Sequence, residues 1–282
     1  MTEPAEKFES LLHEKRVIHP TAETKARTYI KDYESAYKQS IADPEAFWSQ
    51  AAKELEWFSP WSKVLEWNYP WAKWFIGATC NISYNCLDRH VKTWRKNKVA
   101  VIWIGEQGEE RIFTYAELHR QVNRCANALK ALGLKKGDRV TIYMPKIPEQ
   151  IVAMLACARI GLIHSVVYSG FSAPALQSRI QDCEARLVIT ADVGYDRSKV
   201  INLKTVVDQA VAKCPTVEKV VVVRRQQPAV PLSAPKEIDW HEWLKDQKAT
   251  CEPEKLDAET PLYILYTSGT TGKPKGVVHV HG

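Results

Sequence analysis

The stretch TYAELHRQVNRCANALKALGLKKGDRVTIYMP, residues 114–145, decides the fold. Its first residues, Thr114 and Glu117, form a T-x-x-E capping box, which predicts the start of a helix. Apolar residues then recur at helical spacing until Gly133 supplies the stop. GDRVTIYMP predicts a short strand that ends at Pro145. The stretch is therefore predicted to be a helix followed by a strand.

The same alternation continues downstream. PEQIVAMLACARIG, residues 148–161, predicts a second helix, and its nearly continuous apolar character indicates burial. Further helices are predicted from Ser172 to about Ala185 and near residues 206–213, between strands at IHSVVY, RLVIT and KVVVV. Strands that alternate with helices of this length form parallel sheets with right-handed crossovers. We therefore expect an α/β fold built on a parallel sheet.

The flanking regions have a different character. Residues 1–43 are polar and are predicted to be helical or partly loose, whereas residues 47–103 hold eight of the ten tryptophans. We expect the latter to form an irregular layer on the larger domain, with indole rings providing the buried area. A carbohydrate or base-stacking surface is the alternative. Residues 224–260 are predicted to be a surface excursion anchored by Trp240 and Trp243, before a final strand, PLYILY.

Composition excludes several classes of protein. Apolar residues make up 45% and charged residues 26%, as in an ordinary globular protein. No apolar stretch reaches the length of a membrane span, and residues 1–20 resemble neither a secretory signal nor a transit peptide, so a cytoplasmic location is expected. The net charge of +6 is spread along the chain without the clustering that nucleic-acid binding requires, so no nucleic-acid partner is expected.

The cysteines and histidines suggest no metal site. Seven cysteines without a CxxC pair predict reduced thiols, several of them core filler. His279 and His281 have no further ligand nearby in sequence, so we expect core or rim positions rather than a metal site. His90, which follows Asp88 and Arg89, is predicted to be structural.

The final predicted strand opens into YTSGTTGKPKG, residues 266–276. Its glycines allow close backbone approach to a ligand, its hydroxyls add donors and its lysines add charge, which is the set of groups that a polyphosphate requires. It is not a Walker A loop, because only two residues separate Gly269 from Gly272 and Pro274 follows the lysine. The alternative is a flexible surface loop. The candidate ATP-phosphate residues are Thr267, Ser268, Gly269, Thr270, Thr271, Gly272, Lys273, Lys275 and Gly276.

This loop resembles the phosphate-loop signature of the adenylate-forming superfamily. The stretches FWSQAAKELEWFSPWSKVLEWN, WFIGATCNISYNCLDRH and MLACARIGLIHSVVYSGFSAPAL, together with residues 114–145, resemble the AMP-forming acetyl-CoA synthetase family. The resemblance runs from about Tyr33 to Gly282. It implies a parallel-sheet subdomain of an adenylate-forming enzyme's large domain, preceded by an aromatic-rich, partly helical amino-terminal region. It also implies three parts: residues 1–32, residues 33–90 and the first part of an adenylation domain at 91–282.

The resemblance implies two half-reactions. A carboxylate, acetate first of all, attacks the α-phosphate of Mg-ATP to give acyl-AMP and pyrophosphate, and the thiol of coenzyme A then gives acyl-CoA and AMP. CoA contacts are implied at Tyr168, Ser169 and Gly170, and at Arg197 and Lys199. Here the chain departs from the family pattern, because Asp196 occupies the expected arginine position and Ser198 replaces a glycine. The alternative for this second group is a solvated loop.

The resemblance also implies that further parts of the active site lie beyond Gly282, so no catalytic residue is assigned within the chain. We expect the isolated chain to be inactive and its partners to be small-molecule substrates and the remaining carboxyl-terminal portion of the same protein. Two alternatives stay open. One is a ligase for propionate or another short-chain or aryl acid, and the other is a noncatalytic module that binds a nucleotide or CoA.

Overall fold

The computed structural model describes residues 16–197, 199–267 and 272–282. By its internal contacts the chain divides into two compact units, one ending at Ala52 and one running from Lys53 to Gly282. The predicted three-part division at residues 32 and 90 stays a prediction. Of the candidate phosphate residues, Ser268, Gly269, Thr270 and Thr271 lie outside the described residues, as does Ser198.

The described part of the first unit contains helices with polar N-caps. The side chain of Thr21 accepts a hydrogen bond from the amide of Thr24, and Asp32 accepts one from the amide of Ser35. Each satisfies a backbone donor that a helix start leaves without a partner. These helices are α1 (Ala22–Arg27), α2 (Tyr33–Ala42) and α3 (Pro44–Ala52).

The second unit carries the described strands. They are β1 (Lys63–Asn68), β2 (Trp71–Ile76), β3 (Thr79–Cys80), β4 (Val99–Ile104), β5 (Glu110–Thr114), β6 (Arg139–Met144), β7 (Ile163–Tyr168), β8 (Leu187–Ala191), β9 (Val193–Asp196), β10 (Lys199–Asn202), β11 (Lys219–Val223), β12 (Glu237–Asp239), β13 (Leu256–Asp257), β14 (Pro261–Thr267) and β15 (Lys275–Val280). Its helices are a π-helical turn (Tyr84–Asp88), α4 (Arg89–Val91), a 3-10 turn (Trp94–Asn97), α5 (Tyr115–Ala131), α6 (Pro148–Arg159), α7 (Ala173–Asp182), α8 (Leu203–Val211) and α9 (Trp240–Leu244).

A seven-stranded sheet forms the centre of this unit, in the order β12-β11-β8-β6-β7-β14-β15. Every pairing from β12 to β14 is parallel, and β15 adds an antiparallel edge. The side chains of β6, β8 and β11 are almost all buried, as expected for strands covered by helices on both faces. The predicted α/β fold with a parallel sheet is confirmed.

Helix α5 begins and ends as its sequence predicts. Thr114 and Glu117 make both hydrogen bonds of the capping box, and Gly133 follows the helix with a φ of +79°. A residue with a side chain is strained at such a φ, so glycine suits this position. The apolar face of α5 joins the core through buried residues that include Val122, Ala126 and Leu129.

The prediction for the aromatic-rich segment is wrong in one respect. The indole rings provide only part of its buried area, because Trp67, Trp71 and Trp94 are each at least 66% exposed. Trp57, Trp61 and Phe75 do form a half-buried cluster with ring centroids 5.1–5.2 Å apart. The segment also contains more regular structure than predicted, since β1 and β2 pair as an antiparallel hairpin.

The predicted surface excursion at residues 224–260 is only partly correct. Strand β12 within it adds to the sheet by pairing in parallel with β11. Trp240 is almost fully buried and packs edge-on against Trp243 with centroids 5.8 Å apart, so the predicted anchor is present. The segment therefore contributes an edge strand and a core residue to the domain.

Buried polar groups fasten the segment around Asp88 to helix α6. Arg159 is 2% exposed and donates two hydrogen bonds to the carboxylate of Asp88, at 2.7 and 2.9 Å. The side-chain amide of Asn81 donates to the backbone oxygens of Ala158, Arg159 and Glu254. A buried charge is tolerated only when it is paired in this way. These contacts attach residues 81–88 to helix α6 of the sheet domain.

All seven cysteines are free thiols, as predicted, and six of them are buried. Across the described ranges, no helix combines the length and the apolar character needed to cross a membrane.

We expect Asp88→Asn to lower the free energy of unfolding by about 3 kcal/mol, because it leaves the buried Arg159 charge without a counter-ion. Burial disfavours the ionised form of Asp88, but hydrogen bonds from Arg159 and His119 outweigh it and lower its pKa from 3.8 to about 2. The stability that this pair contributes is therefore complete above about pH 4 and is lost as the pH falls toward 2. Urea unfolding at several pH values measures both effects.

Glu218→Gln is the matched control, because Glu218 forms an exposed pair with Arg186. Its cost should stay below about 1 kcal/mol. Equal costs for the two variants at neutral pH, or an Asp88→Asn cost that persists unchanged at pH 2, would contradict this account.

Candidate functional site

A cavity of about 360 Å³ lies at one edge of the parallel sheet. Its walls include residues shortly after the carboxyl ends of three neighbouring strands, Lys146 after β6, Ser169 and Gly170 after β7 and Arg225 after β11, and Tyr195 of β9, the strand that follows β8 in the chain. Ligand sites of open α/β sheets lie outside the carboxyl ends of their strands. The position of this cavity therefore makes it the first candidate for a binding site.

The predicted residues Tyr168, Ser169 and Gly170 all line this cavity. The hydroxyl of Tyr143 donates to the backbone oxygens of both Ser169 and Phe171, at 2.8 Å each, and burial raises the pKa of Tyr143 to about 12. A Cβ atom at Gly170 would clash with the ring of Tyr168 in its present position, so a larger residue there would require that exposed ring to move. The Tyr143 hydroxyl thus holds the turn through two of its backbone oxygens, and Gly170 packs against the ring of Tyr168.

The second predicted group lies on the β9–β10 hairpin. Asp196 lines the cavity, and its backbone lies opposite that of Lys199 in the antiparallel register of the hairpin. Arg197 occupies the turn with a φ of +47°, and its amide donates to Glu106 Oε1 at 2.9 Å. The cavity lining includes neither Arg197 nor Lys199 among the residues that the structure describes. Their assignment to CoA stays a prediction, and the cavity wall at this point carries the carboxylate of Asp196.

Two cations that the sequence analysis did not single out line the cavity, Lys146 and Arg225. The Arg225 guanidinium lies 4.8 Å from the centroid of the Tyr195 ring. The amide of Arg225 donates to Asp192, which is fully buried and also accepts from the amide of Val193. Asp192 therefore fixes both the start of the hairpin and the position of Arg225.

The predicted phosphate loop connects β14 to β15 at the same edge. Because β14 runs parallel to β7, its carboxyl end at Thr267 lies on the side where the cavity opens. Lys275 lies opposite Thr267 in the backbone register of the hairpin. Residue 272 has a φ of +81°, which favours the glycine found there. Lys273 is exposed, with no partner among the described residues. Thr267, Gly272, Lys273, Lys275 and Gly276 thus lie at this end of the β14–β15 hairpin, and none of them belongs to the described lining of the cavity.

Arg179 connects the two predicted groups. Its guanidinium lies 4.5 Å from the ring centroid of Phe171, next to the cavity turn, and 5.5 Å from that of Tyr266, at the base of the phosphate loop. Tyr266 also donates to Asp182 at 2.7 Å, and burial, followed by this contact, raises its pKa. The buried Arg179 guanidinium thus lies against one aromatic ring beside the cavity turn and another at the base of the phosphate loop.

The histidines near the end of the chain occupy core and rim positions, as predicted. His281 is buried, and burial lowers its pKa to about 4. His279 stacks on Tyr263 with centroids 4.4 Å apart. His90 lies 4.8 Å from the Tyr115 ring. The described ranges contain no group of three His, Cys, Asp or Glu side chains that could hold a metal ion.

Sequence reasoning missed Tyr143, Lys146, Arg179, Asp192 and Arg225. Only Asp192 carried a local signal, because an acidic residue directly after a buried strand points to a structural or functional role. The others become informative only through contacts with distant parts of the chain.

Comparison with known proteins gives two family matches. A family model described as AMP-binding enzyme matches residues 87–282. A second one, described as acetyl-coenzyme A synthetase N-terminus, matches residues 33–86.

Similar proteins cover the whole chain. The acetyl-coenzyme A synthetase of Syntrophus aciditrophicus is 49% identical over 94% of this chain and 42% of its own length. That of Deinococcus radiodurans is 49% identical over 100% of this chain and 44% of its own. The solved structure of an acetoacetyl-CoA synthetase from Streptomyces lividans superposes with a TM-score of 0.82 at 31% identity, over 93% of this chain and 40% of that one. The chain spans less than half the length of these relatives.

We expect Tyr143→Phe to loosen the cavity turn, because it removes the donor that two backbone oxygens share, at a cost of about 1 kcal/mol. Hydrogen–deuterium exchange should accelerate in residues 169–171. Tyr195→Phe is the control, since the Tyr195 hydroxyl has no hydrogen bond among the described residues although its ring lines the cavity. Faster exchange in the control alone, or in neither variant, would show that Tyr143 does not hold the turn.

Proposed function

The chain belongs to the AMP-binding enzyme family, and on that premise we propose that the protein activates a short-chain carboxylate, acetate first of all, with ATP and transfers the acyl group to CoA. The observation that carries the proposal is the placement of two predicted ligand groups on one edge of a parallel sheet, joined by Arg179. The names of the similar proteins support the same reaction. The cytoplasmic location predicted from the sequence is part of the proposal.

In the first half-reaction, the phosphate loop is assigned to the β- and γ-phosphates of ATP. As the carboxylate attacks the α-phosphate, the bond to pyrophosphate breaks and negative charge collects on the leaving group. Lys273 and Lys275 offset that charge, and the glycine at 272 lets the backbone approach it. No proton is transferred by these residues, so their contribution is positioning and electrostatics.

Magnesium enters this proposal as part of the nucleotide substrate. The described residues provide no cluster of metal-ligating side chains, so no residue of this chain is assigned to the ion.

In the second half-reaction, the cavity beside Tyr168 is assigned to the nucleotide end of CoA. The ring of Tyr168 is 66% exposed and can stack on a base, while Ser169 and Gly170 leave room beside it. Lys146 and Arg225 provide positive charge, whereas Asp196 and Glu106 provide negative charge on the same walls. Counted over these four residues, the cavity is neutral, so it should bind a phosphate on CoA only weakly.

Replacement of Lys273 by alanine tests the first assignment. We expect acetate-dependent ATP–pyrophosphate exchange to fall by roughly 100-fold, because a charge that stabilises the leaving group is lost. The assay should use the product of the entire reading frame, including any residues that follow Gly282. Lys213→Ala, an exposed lysine after α8, is the control and should exchange at the parental rate. Exchange by Lys273→Ala at the parental rate would remove the basis of the assignment.

Replacement of Asp196 by arginine tests the second assignment, that of the cavity beside Tyr168 to CoA. We expect the KM for CoA to fall about tenfold, because a repulsive carboxylate becomes a phosphate partner, while the KM for dephospho-CoA changes less than about twofold. Asp246→Arg makes the same charge change at an exposed position away from the cavity. An equal fall for both thiols, or an equal effect of the control, would argue against phosphate recognition in this cavity.

A further inference from the structure

A second cavity, of about 220 Å³, lies between β5, α5, α6 and α9. None of its described lining residues is among those of the first cavity. Its polar lining residues are Arg111, Gln121, Arg124, Glu149, His241 and Lys245. None of these residues was assigned a role by the reaction proposed above.

The lining of this cavity carries a net positive charge, because Arg111, Arg124 and Lys245 outnumber Glu149. Glu149 is 4% exposed and accepts a hydrogen bond from Arg111 Nη1 at 2.6 Å, so its charge is neutralised within the wall. Lys245 has an exposed acidic neighbour, Glu242, at 3.7 Å, which screens it in part. Arg124 has no acidic partner in the described part of the chain. The uncompensated charge therefore lies on Arg124.

Three polar side chains of the lining have no hydrogen-bond partner in the described protein, and two of them, Arg124 and His241, are exposed to solvent. The amide of Gln121, the guanidinium of Arg124 and the imidazole of His241 make no hydrogen bond within the ranges that the structure describes. Each can donate, and the one acidic lining residue, Glu149, is already paired with Arg111. Water therefore hydrates these donors in the free protein, and a ligand that brings acceptors of its own can replace that water.

The stability of α5 does not explain this arrangement. Arg120 and Arg124 are four residues apart on the helix, and like charges at that spacing are mildly destabilising. The buried Glu149 instead fixes the orientation of Arg111, and a fixed guanidinium is well suited to bind an oxyanion through two parallel hydrogen bonds.

We propose that this cavity binds a compact oxyanion of the phosphate or phosphate-monoester class. Arg124 supplies the principal charge, Gln121 and His241 donate hydrogen bonds, and Arg111 provides a second guanidinium. The volume is below that of sites for drug-sized ligands, which restricts the occupant to a small group. The site is independent of the reaction proposed above, because it shares no residue with the phosphate loop or the first cavity.

The test is a titration of the isotope-labelled chain with inorganic phosphate at constant ionic strength, followed through the backbone amide signals in NMR spectra. We expect saturable shifts at residues 121–124 and 241–245. Arg124→Gln should raise the Kd by about tenfold or more, the effect of one lost charge-assisted hydrogen bond. Glycerol 3-phosphate is the second probe, and the tighter of the two ligands identifies the occupant as free phosphate or a monoester.

Arg120→Gln is the matched control, because it removes the same charge from the same helix at a position outside the cavity lining. Its Kd should change less than about twofold. Equal weakening by both variants would mean general charge screening, and the absence of saturable shifts would mean no site; either result overturns the proposal. Lys273→Gln should leave these shifts unchanged, which separates this outcome from failure of the phosphate-loop assignment.

Discussion

The parallel pairing of six strands is the constraint on which the rest of the structure depends. Parallel strands end on the same edge of a sheet, so the segments that follow β6, β7, β8 and β11 meet around one cavity although up to 80 positions separate them in sequence. The phosphate loop joins them because β14 runs in the same direction. Crossover helices make such pairing possible, and their burial explains the continuous apolar strands.

A second constraint keeps the aromatic-rich segment in place. Its hairpin and many of its indole rings face solvent, so apolar burial contributes less than the count of tryptophans suggests. The fixed points are polar instead: Asp88 with Arg159, and Asn81 with three backbone oxygens. These bonds are directional and leave few alternative positions for the segment. A polar attachment that is fully satisfied can thus specify a position that apolar contacts alone would not.

The sequence predicted the sheet domain well because its signals are local. The capping box at Thr114, the glycine at 133 and the apolar run of α6 each require only a few neighbouring residues, and each is confirmed. Edge strand β12 was missed because its three residues carry no period that could be recognised. Exposure of Trp67 and Trp71 was missed for a different reason. Tryptophan is buried on average, and only tertiary structure shows which rings lack a covering neighbour.

The charges show most clearly why a site cannot be predicted from sequence spacing alone. The excess of six positive charges is spread along the chain, and no cluster of basic residues stands out in it. Folding brings Lys146 and Arg225 to one cavity and Arg111, Arg124 and Lys245 to another, from elements up to 134 positions apart. In the first cavity Asp196 and Glu106 balance the two cations. In the second cavity the one acidic lining residue, Glu149, already forms an ion pair with Arg111. The two cavities therefore differ in the charge that they offer a ligand, although neither difference is visible in the order of residues along the chain.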